Sequence, residues 1–259
     1  MINKKIVFAN WKMNLDADSI STLVSDVSNK LKRVENVDII LAPPFPYIIK
    51  VTDMTKNTNI HVSSQNVFFE ESGAFTGEVS PLMLTDVGCS WPIIGHSERR
   101  QHLLETNEMI NKKVLLCTSN NLNVILCLGE TFDERRQNKT FQRISDQLTR
   151  GLREVNQKML GKIVIGYEPI WVIGSGEAAR VEDIQEVHNF IYNQLRSMFP
   201  DSENLPRIVY GGSVNQTNIK PIVSLENVDG VLIGNASLDC EIFCDIVLTV
   251  GCLLYTSPS

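Results

Sequence analysis

The chain alternates between short apolar runs and longer segments in which apolar and polar residues are interleaved. Residues 37–42 are almost continuously apolar and stop at Pro43-Pro44, a pattern typical of a strand buried on both faces. Over residues 19–33, apolar side chains recur every three or four positions, which predicts an amphipathic helix. The same pair of patterns recurs along most of the chain.

These repeated pairs predict the fold class, which is α/β. Each apolar strand is followed by a helix, which indicates an all-parallel sheet covered by helices. About 250 residues for eight units favours a closed, single-domain (β/α)₈ barrel over an open doubly wound sheet. We expect strands at residues 6–10, 37–42, 60–64, 91–95, 123–128, 163–167, 207–210 and 230–233. We expect helices at residues 19–33, 47–55, 81–87, 107–120, 131–156 with a break near Asn138, 181–199, 216–224 and 238–250.

The last residues depart from this pattern. Residues 252–259 do not continue the final helix at apolar spacing, and they end in turn-forming residues. We therefore expect one domain over residues 1–251 and interpret residues 252–259 as a non-native tail left by cloning or assembly. A native disordered tail is the alternative.

Composition and charge narrow the possible functions. The chain has 259 residues, of which 43% are hydrophobic, and its net charge is −6 with a pI near 5.3. An acidic chain of this kind is not expected to bind nucleic acid. No apolar stretch is long enough for a membrane span, and no signal peptide opens the sequence. The six cysteines form no Cys-x-x-Cys pair, so we expect free thiols and a cytoplasmic protein.

The candidate catalytic base is Glu168. It follows the apolar run at residues 163–167, and Pro169 holds it in extended geometry at the end of that predicted strand. An apolar loop closed by Gly174 and Gly176 comes next. An acid beside a loop that can exclude water suits a general base. Taken alone, a strand-terminal surface glutamate is the more common explanation.

Other chemistry-bearing residues stand at the ends of other predicted strands. Lys12 is a cation at the mouth of an acidic barrel, and His96 ends the fourth strand. Small residues at 211–213 and at Gly234-Asn235 precede helices after the last two strands, where backbone N–H groups can bind phosphate. We therefore predict a phosphorylated small molecule as ligand, with Glu168 and His96 at its other end. The start of a helix after His96 is expected to lower its pKa and favour the neutral ring.

Seven segments together carry a resemblance to the triosephosphate isomerase family, covering about residues 4 to 250 in the right order. The segments are residues 9–14 (Ala-Asn-Trp-Lys-Met-Asn), 65–66 (Gln-Asn), 73–78 (Gly-Ala-Phe-Thr-Gly-Glu), 95–100 (Gly-His-Ser-Glu-Arg-Arg), 127–130 (Cys-Leu-Gly-Glu), 167–171 (Tyr-Glu-Pro-Ile-Trp) and 210–214 (Tyr-Gly-Gly-Ser-Val).

The resemblance implies a reaction and a set of roles. The reaction is the interconversion of dihydroxyacetone phosphate and D-glyceraldehyde 3-phosphate through an enediol(ate), in glycolysis and gluconeogenesis, without cofactor or metal. Glu168 would shuttle the proton between carbons, His96 would polarise the carbonyl, and Lys12 would stabilise the negative charge. Asn10 would orient Lys12, and Glu98 would support the network. The phosphate-binding positions implied are Asn10, Lys12, Gly174, Ser213, Gly234 and Asn235.

The resemblance also implies a mobile lid and a homodimer. The lid would run from Val172 through Ile173 to Gly176. Its first hinge would be Pro169-Ile170-Trp171 and its second hinge residues 177–179, and Tyr210 and Ser213 would latch the closed lid. The loop around Thr76 would insert into a second copy of the chain, where Glu78 would pair with Arg99. The length and glycine content of residues 66–79 point the same way, because such a loop is unusual as a connection in a compact barrel.

Three departures from the family pattern and three rival functions remain. Asn235 stands where a second glycine is usual, residues 177–179 (Glu-Ala-Ala) replace a common hinge, and Trp91-Pro92 replaces an aromatic–β-branched pair.

Residues 174–179 also match a dinucleotide-binding fingerprint, although the next predicted strand lacks the acid expected to hold a ribose. A catalytically dead scaffold is the second rival. The third, metal catalysis, has little support, because no His, Cys and Asp residues show ligand spacing.

Overall fold

The computed structural model describes residues 4–172 and 178–253. Its strands are β1 (Lys5–Asn10), β2 (Val37–Ala42), β3 (Ile60–Val62), β4 (Ile93–Ile94), β5 (Val124–Leu128), β6 (Ile163–Tyr167), β7 (Arg207–Tyr210) and β8 (Gly230–Ile233). Its α-helices are α1 (Ala17–Leu31), α2 (Ile48–Thr55), α3 (Pro81–Asp86), α4 (Ser97–His102), α5 (Asn107–Ser119), α6 (Phe132–Arg136), α7 (Thr140–Gly151), α8 (Gln157–Leu160), α9 (Val181–Met198), α10 (Ile219–Val223) and α11 (Cys240–Leu253). Short 3₁₀ helices cover Phe45–Tyr47, Ile170–Val172 and Asn235–Leu238.

The strands form one parallel eight-stranded sheet that curls into a barrel. Their order is β3-β2-β1-β8-β7-β6-β5-β4, so β1 pairs with β8. β3 and β4, at the two ends of this order, are joined by hydrogen bonds of residues next to the regular strands. There the N–H of Ser90 donates to the carbonyl of Val62 at 3.0 Å, and the N–H of Ile93 donates to the carbonyl of Ser64 at 2.8 Å. The predicted (β/α)₈ barrel is confirmed.

Alternation along each strand builds two apolar layers. In β1, Ile6 and Phe8 point into the barrel, whereas Val7 and Ala9 point outward to the helices. The interior also holds an edge-to-face pair of Phe8 and Trp91, with ring centroids 5.6 Å apart. The barrel is therefore a packed core, and only its mouth is open to a ligand. The interior residues are Ile6, Phe8, Ile40, Ala42, Trp91, Ile93, Ile125, Cys127, Val164, Val209 and Leu232.

The largest differences from the predicted elements have local causes. β4 is reduced to two residues, and Pro92, which has no N–H to donate, lies directly before it as an acceptor for Ile125. The helical segment predicted for residues 131–156 ends earlier, at Gly151, whereas its predicted break is confirmed: Asn138 adopts a left-handed φ of 56° between α6 and α7. The pattern missed α8, a single turn that Asn156 caps.

The last helix, predicted at residues 238–250, begins two residues later and ends three residues later than expected. α11 runs through Leu253, and the side chain of Asn36 holds its last turn by donating to the carbonyl of Gly251 at 2.8 Å. The non-native origin of residues 252–259 stays a prediction, and residues 254–259 lie outside the described part of the chain.

One buried histidine lies between the barrel wall and the helices. His188 on α9 is fully buried, and its Nδ1 donates to the carbonyl of Asn227 at 2.9 Å. Its ring packs against Tyr167 and Tyr210, with centroids 5.8 Å and 6.4 Å away. Burial lowers the pKa of His188 to about 4. The ring is therefore neutral in the folded chain at every pH above that value.

We expect His188 to make the fold acid-sensitive. Between pH 6.5 and 4 the unfolded chain binds a proton at His188 that the folded chain does not, so stability falls as the pH falls, by up to about 3 kcal/mol. His188→Asn keeps an N–H donor but cannot titrate. Denaturant unfolding measured across this range should therefore show a smaller loss of stability in the variant than in the wild type.

The matched control for this experiment is His61→Asn, a change at an exposed histidine on β3. Equal losses of stability with acid in the His188 variant and the wild type would contradict the prediction.

Candidate active site

The carboxyl ends of five strands surround one cavity. The cavity has a volume of about 550 Å³ and opens at the mouth of the barrel. It collects most of the residues that the sequence nominated, from loops after β1, β4, β6, β7 and β8. Its lining is Asn10, Lys12, His96, Ser97, Glu98, Gln101, His102, Glu168, Ile170, Val172, Gly211, Gly212, Ser213, Val214, Leu232, Gly234, Asn235 and Ala236.

Glu168 lies at the floor of this cavity, one residue beyond β6. Its backbone N–H donates to the carbonyl of Leu128 at 2.8 Å, which extends the β5–β6 ladder and fixes the backbone. The residue is only 1% exposed. Oε2 accepts the backbone N–H of Ser97 at 3.0 Å, and Oε1 lies 2.9 Å from Nε2 of His96. Both carboxylate oxygens are thus held from the start of α4.

His96 caps α4 and faces Glu168 at the same time. Its Nδ1 accepts the backbone N–H of Glu98 at 3.3 Å, which only an unprotonated nitrogen can do. We therefore assign the ring proton to Nε2, where it points at Glu168. The cap explains how a short helix fixes the orientation of this imidazole.

The charges around the pair set its protonation. Burial by itself raises the pKa of Glu168, but His96, the Ser97 N–H and Lys12 outweigh it, and the net pKa is lowered. Glu168 is therefore a carboxylate at neutral pH.

The pKa of His96 moves in the direction opposite to the one expected. Burial by itself lowers this pKa, but the carboxylates of Glu168 and Glu98 outweigh burial and raise it. The prediction of a lowered pKa is wrong for this arrangement, because it considered the start of α4 and not a carboxylate at 2.9 Å. Above the raised pKa, the Nδ1 contact keeps the ring in the neutral form that carries its proton on Nε2.

Lys12 is placed by a strained turn after β1. Its φ is 54°, in the left-handed region. Two side chains hold this turn: Oδ1 of Asn10 accepts the N–H of Lys12 at 3.1 Å, and Nε2 of Gln65 donates to its carbonyl at 2.8 Å. The ammonium group pairs with Oε1 of Glu98 at 2.7 Å. Asn10 and Glu98 thus contact Lys12, as expected, whereas Gln65 was missed as a supporting residue.

The two predicted phosphate turns lie on the cavity wall. A Cβ added at Gly212 would stand 2.1 Å from the hydroxyl of Tyr210, so only glycine fits there. A Cβ at Gly234 would meet Cε of Lys12 at 3.4 Å, so this glycine lies close to the lysine stem. Ser213 and Asn235 line the same wall, and Asn235 begins a 3₁₀ helix. Gly174 lies outside the described residues.

The first hinge of the predicted lid is anchored by Glu130. Oε1 of Glu130 accepts from Nε1 of Trp171 at 2.9 Å and from the hydroxyl of Tyr167 at 3.2 Å. The guanidinium of Arg135 stacks on the Trp171 ring, 4.2 Å from its centroid. Glu130 appeared in the sequence only as part of a motif, and nothing in the pattern showed which side chain it would bind.

The rest of the lid is described only in part. Pro169 closes a turn by accepting the N–H of Val172 at 3.0 Å, and Ile170 and Val172 face the cavity. Tyr210 is fully buried beside the backbone of Ala179, at the far end of the lid. Ile173 and Gly176 lie outside the described residues, as does Glu177 of the second hinge.

Arg100 is a further supporting residue that the sequence pattern did not single out. Its guanidinium donates to the carbonyl of Gly95 at 2.7 Å, to that of Cys127 at 2.9 Å and to Oδ1 of Asn107 at 2.7 Å. It thereby ties the strand end that carries His96 to β5. A half-buried arginine with three acceptors can be recognised only once the strand neighbours are known.

The predicted dimer residues lie outside the cavity. Thr76 and Glu78 are exposed on the loop at residues 66–79, whereas Arg99 is half-buried and lies 3.6 Å from Oε1 of Glu105 in its own chain. The pairing of Glu78 with Arg99 across two chains stays a prediction.

Within residues 4–172 and 178–253, no three His, Cys, Asp or Glu side chains converge as metal ligands. Among the helices of these same ranges, none combines the length and apolarity needed to cross a membrane.

Comparison with known proteins decides the family. A sequence model described as triosephosphate isomerase matches residues 5–250. This chain belongs to the triosephosphate isomerase family. It is 43% identical to the triosephosphate isomerase of Thermodesulfovibrio yellowstonii, over 94% of this chain and 98% of the relative. It is 44% identical to that of Clostridium tetani, over 95% and 96% respectively. A crystal structure of the Bartonella henselae triosephosphate isomerase superposes with a TM-score of 0.86 at 31% identity, covering 98% of this chain and all of the other.

Membership of the triosephosphate isomerase family makes the chain an isomerase and removes the nucleotide-binding alternative. The dinucleotide-like residues 174–179 lie between β6 and α9, in the segment where the family resemblance places a lid. The dead-scaffold alternative has no support in the described site, because Lys12, His96 and Glu168 are all present around one cavity.

Gly129 offers a test of how tightly the backbone of Glu168 is held. A Cβ at Gly129 would stand 1.8 Å from the carbonyl oxygen of Glu168, whereas one at Gly161 would meet nothing within 4 Å. We expect Gly129→Ala to displace Glu168, to lower kcat at least tenfold and to lower the Tm. Steady-state kinetics and thermal unfolding check both effects.

The matched control is Gly161→Ala, at a helical φ of −63°. It should keep full activity and gain up to about 1 kcal/mol of stability, because alanine restricts the unfolded chain. Equal behaviour of the two variants would show that Glu168 does not depend on Gly129.

Proposed function

We propose that this isomerase interconverts dihydroxyacetone phosphate and D-glyceraldehyde 3-phosphate, with Glu168 as the base, His96 as the partner of the carbonyl and Lys12 as the stabilising cation. The single observation that carries the proposal is the buried contact of 2.9 Å between Nε2 of His96 and Oε1 of Glu168, at the floor of the cavity. One base beside one hydrogen-bond donor is what a proton transfer next to a carbonyl requires.

The reaction needs one proton to leave a carbon and return to its neighbour. Glu168 takes the proton from C1 of the ketose, and the electron pair of that C–H bond forms the C1–C2 double bond. The carbonyl electrons move onto the C2 oxygen, which His96 stabilises through its Nε2 proton. Protons then move between the two oxygens, and Glu168 returns the carbon-bound proton to C2, which gives the aldose.

Glu168 must give up a contact before it can act. Both of its oxygens are engaged, one by the N–H of Ser97 and one by His96. In this arrangement the carboxylate is stabilised by hydrogen bonds but does not face a substrate carbon. We propose that substrate takes over the His96 contact while Glu168 leaves Ser97 and turns towards the carbon.

Lys12 supplies positive charge to a cavity in an acidic chain. Its ammonium is held at 2.7 Å from Glu98 and lies next to Gly234. Both the substrate and the enediolate are anions, so Lys12 attracts the ground state and the transition state alike.

We propose that the phosphate group binds at the wall formed by Ser213, Gly234 and Asn235, beside Lys12. The turns at Ser213 and at Gly234-Asn235 follow β7 and β8, which is the recurrent phosphate position in barrels of this kind. Gly174 would add an N–H from the lid. Asn235 in place of a glycine is expected to weaken phosphate binding modestly, since asparagine tolerates special backbone geometry better than most residues.

Replacing Glu168 tests the base directly. Glu168→Gln keeps the shape and removes the base, so kcat should fall by about 10²–10⁴-fold with little change in KM, because the phosphate is held elsewhere. Lys12→Ala should instead impair both parameters. A coupled assay of dihydroxyacetone phosphate turnover measures these effects.

Two results would contradict this assignment. One is a Glu168→Gln variant that keeps more than about a tenth of the wild-type kcat. Such a loss, less than about tenfold, would be smaller than the usual contribution of a general base. The other is a requirement for added metal or nucleotide after EDTA treatment and desalting, because the proposed mechanism uses neither.

We also propose that the active form is a homodimer. Large apolar side chains are exposed on segments that follow β1 and β3: Met13 is 95% exposed, Phe75 43% and Met83 56%. Phe75 packs against Phe68 in a tilted arrangement, with ring centroids 4.7 Å apart, so the long loop keeps a defined shape that a partner could receive. Large apolar side chains that stay exposed in the single chain support a protein interface.

A charge at the tip of the long loop should separate the dimer. Thr76→Arg places a guanidinium in the proposed interface, where an unpaired charge is costly to bury. We expect sedimentation analysis to show a dimer for the wild type and a shift towards monomer for the variant. Thr22→Arg, on the exposed face of α1, is the control and should stay dimeric. A wild-type chain that is fully active as a monomer at micromolar concentration would contradict the proposal.

We place this activity in the cytoplasm, in glycolysis and gluconeogenesis, with no nucleic-acid or membrane partner. All six cysteines are unpaired in the structure, which suits a reducing compartment.

A further inference from the structure

Two cysteines on α11 lie side by side in the apolar layer between the barrel wall and the helices, and neither lines the cavity. Cys240 is the first residue of this helix and Cys244 lies one turn later. Their sulfur atoms are 3.8 Å apart. Cys244 is buried and Cys240 is half-buried, so the pair is reached from one side. None of the proposed catalytic steps uses it.

The separation of the two sulfurs matches a specific chemistry. Two thiolates at about 2.3 Å from a tetrahedral zinc ion stand about 3.8 Å from each other. The thiols of Cys240 and Cys244 therefore already have the spacing of two ligands on one such ion. No change of helix geometry is needed to bring them together.

A disulfide fits the same pair less well. Residues four apart on a helix have Cβ atoms about 5–6 Å apart, whereas a disulfide needs about 3.5–4.5 Å. Closing the bond would deform the first turn of α11. A metal ion, which lies between the sulfurs, bridges the pair without that deformation.

Burial and the nearby charges act in different directions on the pKa values of the two thiols. Burial raises the pKa of Cys244 to about 12, and burial likewise raises that of Cys240. The ammonium of Lys30 acts in the opposite direction on both sulfurs, while Glu241, which is paired with Lys30, adds negative charge. The first turn of a long helix also stabilises a thiolate. An ion that bound here would displace two protons, so its affinity should rise with pH.

We propose that Cys240 and Cys244 form a binding site for a single soft divalent cation such as Zn²⁺ or Cd²⁺. Thiolates select soft metals. Within residues 4–172 and 178–253 no third His, Cys, Asp or Glu side chain completes the ligand set. The ion therefore keeps solvent in its remaining positions and exchanges readily.

Cd²⁺ titration of the full-length chain tests the site, because thiolate-bound Cd²⁺ gives an ultraviolet charge-transfer band. The reduced wild type should bind one Cd²⁺ per chain at micromolar concentration, more tightly at higher pH, and its Tm should rise with the metal. Excess Zn²⁺ should displace the band, and EDTA should abolish it. Cys240→Ser, at the half-buried position, should lose both the band and the rise in Tm.

The matched control is Cys252→Ser, which removes a lone exposed thiol from the same helix and should behave as wild type. Activity without metal should be unchanged in both variants, which shows that they are folded. The proposal is overturned if the wild type gives no band, if the band survives in Cys240→Ser, or if it disappears in Cys252→Ser.

Discussion

The site depends on how the chain keeps a carboxylate charged where water scarcely reaches it. Glu168 is 1% exposed, and an unpaired buried charge would take up a proton instead. The N–H of Ser97, the His96 ring and the more distant Lys12 together keep its pKa low. A base is thereby available at neutral pH inside a largely apolar barrel.

That compensation exists because the barrel brings distant strand ends together. Glu168 follows β6, whereas Ser97 and His96 follow β4, and the two strands are joined only through β5. Arg100 ties the β4 end to β5 by donating to the carbonyls of Gly95 and Cys127. On the side of β5 that faces β6, Gly129 lets the backbone after β5 come close to the backbone of Glu168, since any side chain at Gly129 would collide with it. The geometry of the pair is thus a property of three adjacent strands.

Much of this architecture was predictable from the sequence, because its signals are local. β2, β6, β7 and β8 were predicted with their observed bounds, since each is an apolar run with a proline, glycine or charged residue at its end. The strand-end positions of Lys12, His96 and Glu168 followed from the same pattern, and the family resemblance supplied their roles.

The failures concern contacts between residues that are distant in sequence. The pKa of His96 depends on Glu168 across the cavity, and no local pattern shows a charge 72 positions away. Gln65, which holds the strained turn at Lys12, and Glu130, which holds Trp171, act in the same long-range way. β4 was predicted too long because Trp91 reads as a strand residue in the sequence. In the structure Trp91 packs against Phe8 inside the barrel, and regular strand pairing begins only at Ile93.

We propose that the carboxylate of Glu168, which Ser97 and His96 hold in this structure, becomes the base when substrate binds. A crystal structure with a phosphorylated hydroxamate that mimics the enediolate tests it most directly. In that structure we expect the phosphate to lie against Ser213 and Gly234-Asn235. We also expect Nε2 of His96 to donate to the hydroxamate oxygen, and Glu168 to have left the N–H of Ser97 to face the reacting atoms. An occupied site in which Glu168 still accepts from Ser97 and His96, with the ligand out of its reach, would contradict it.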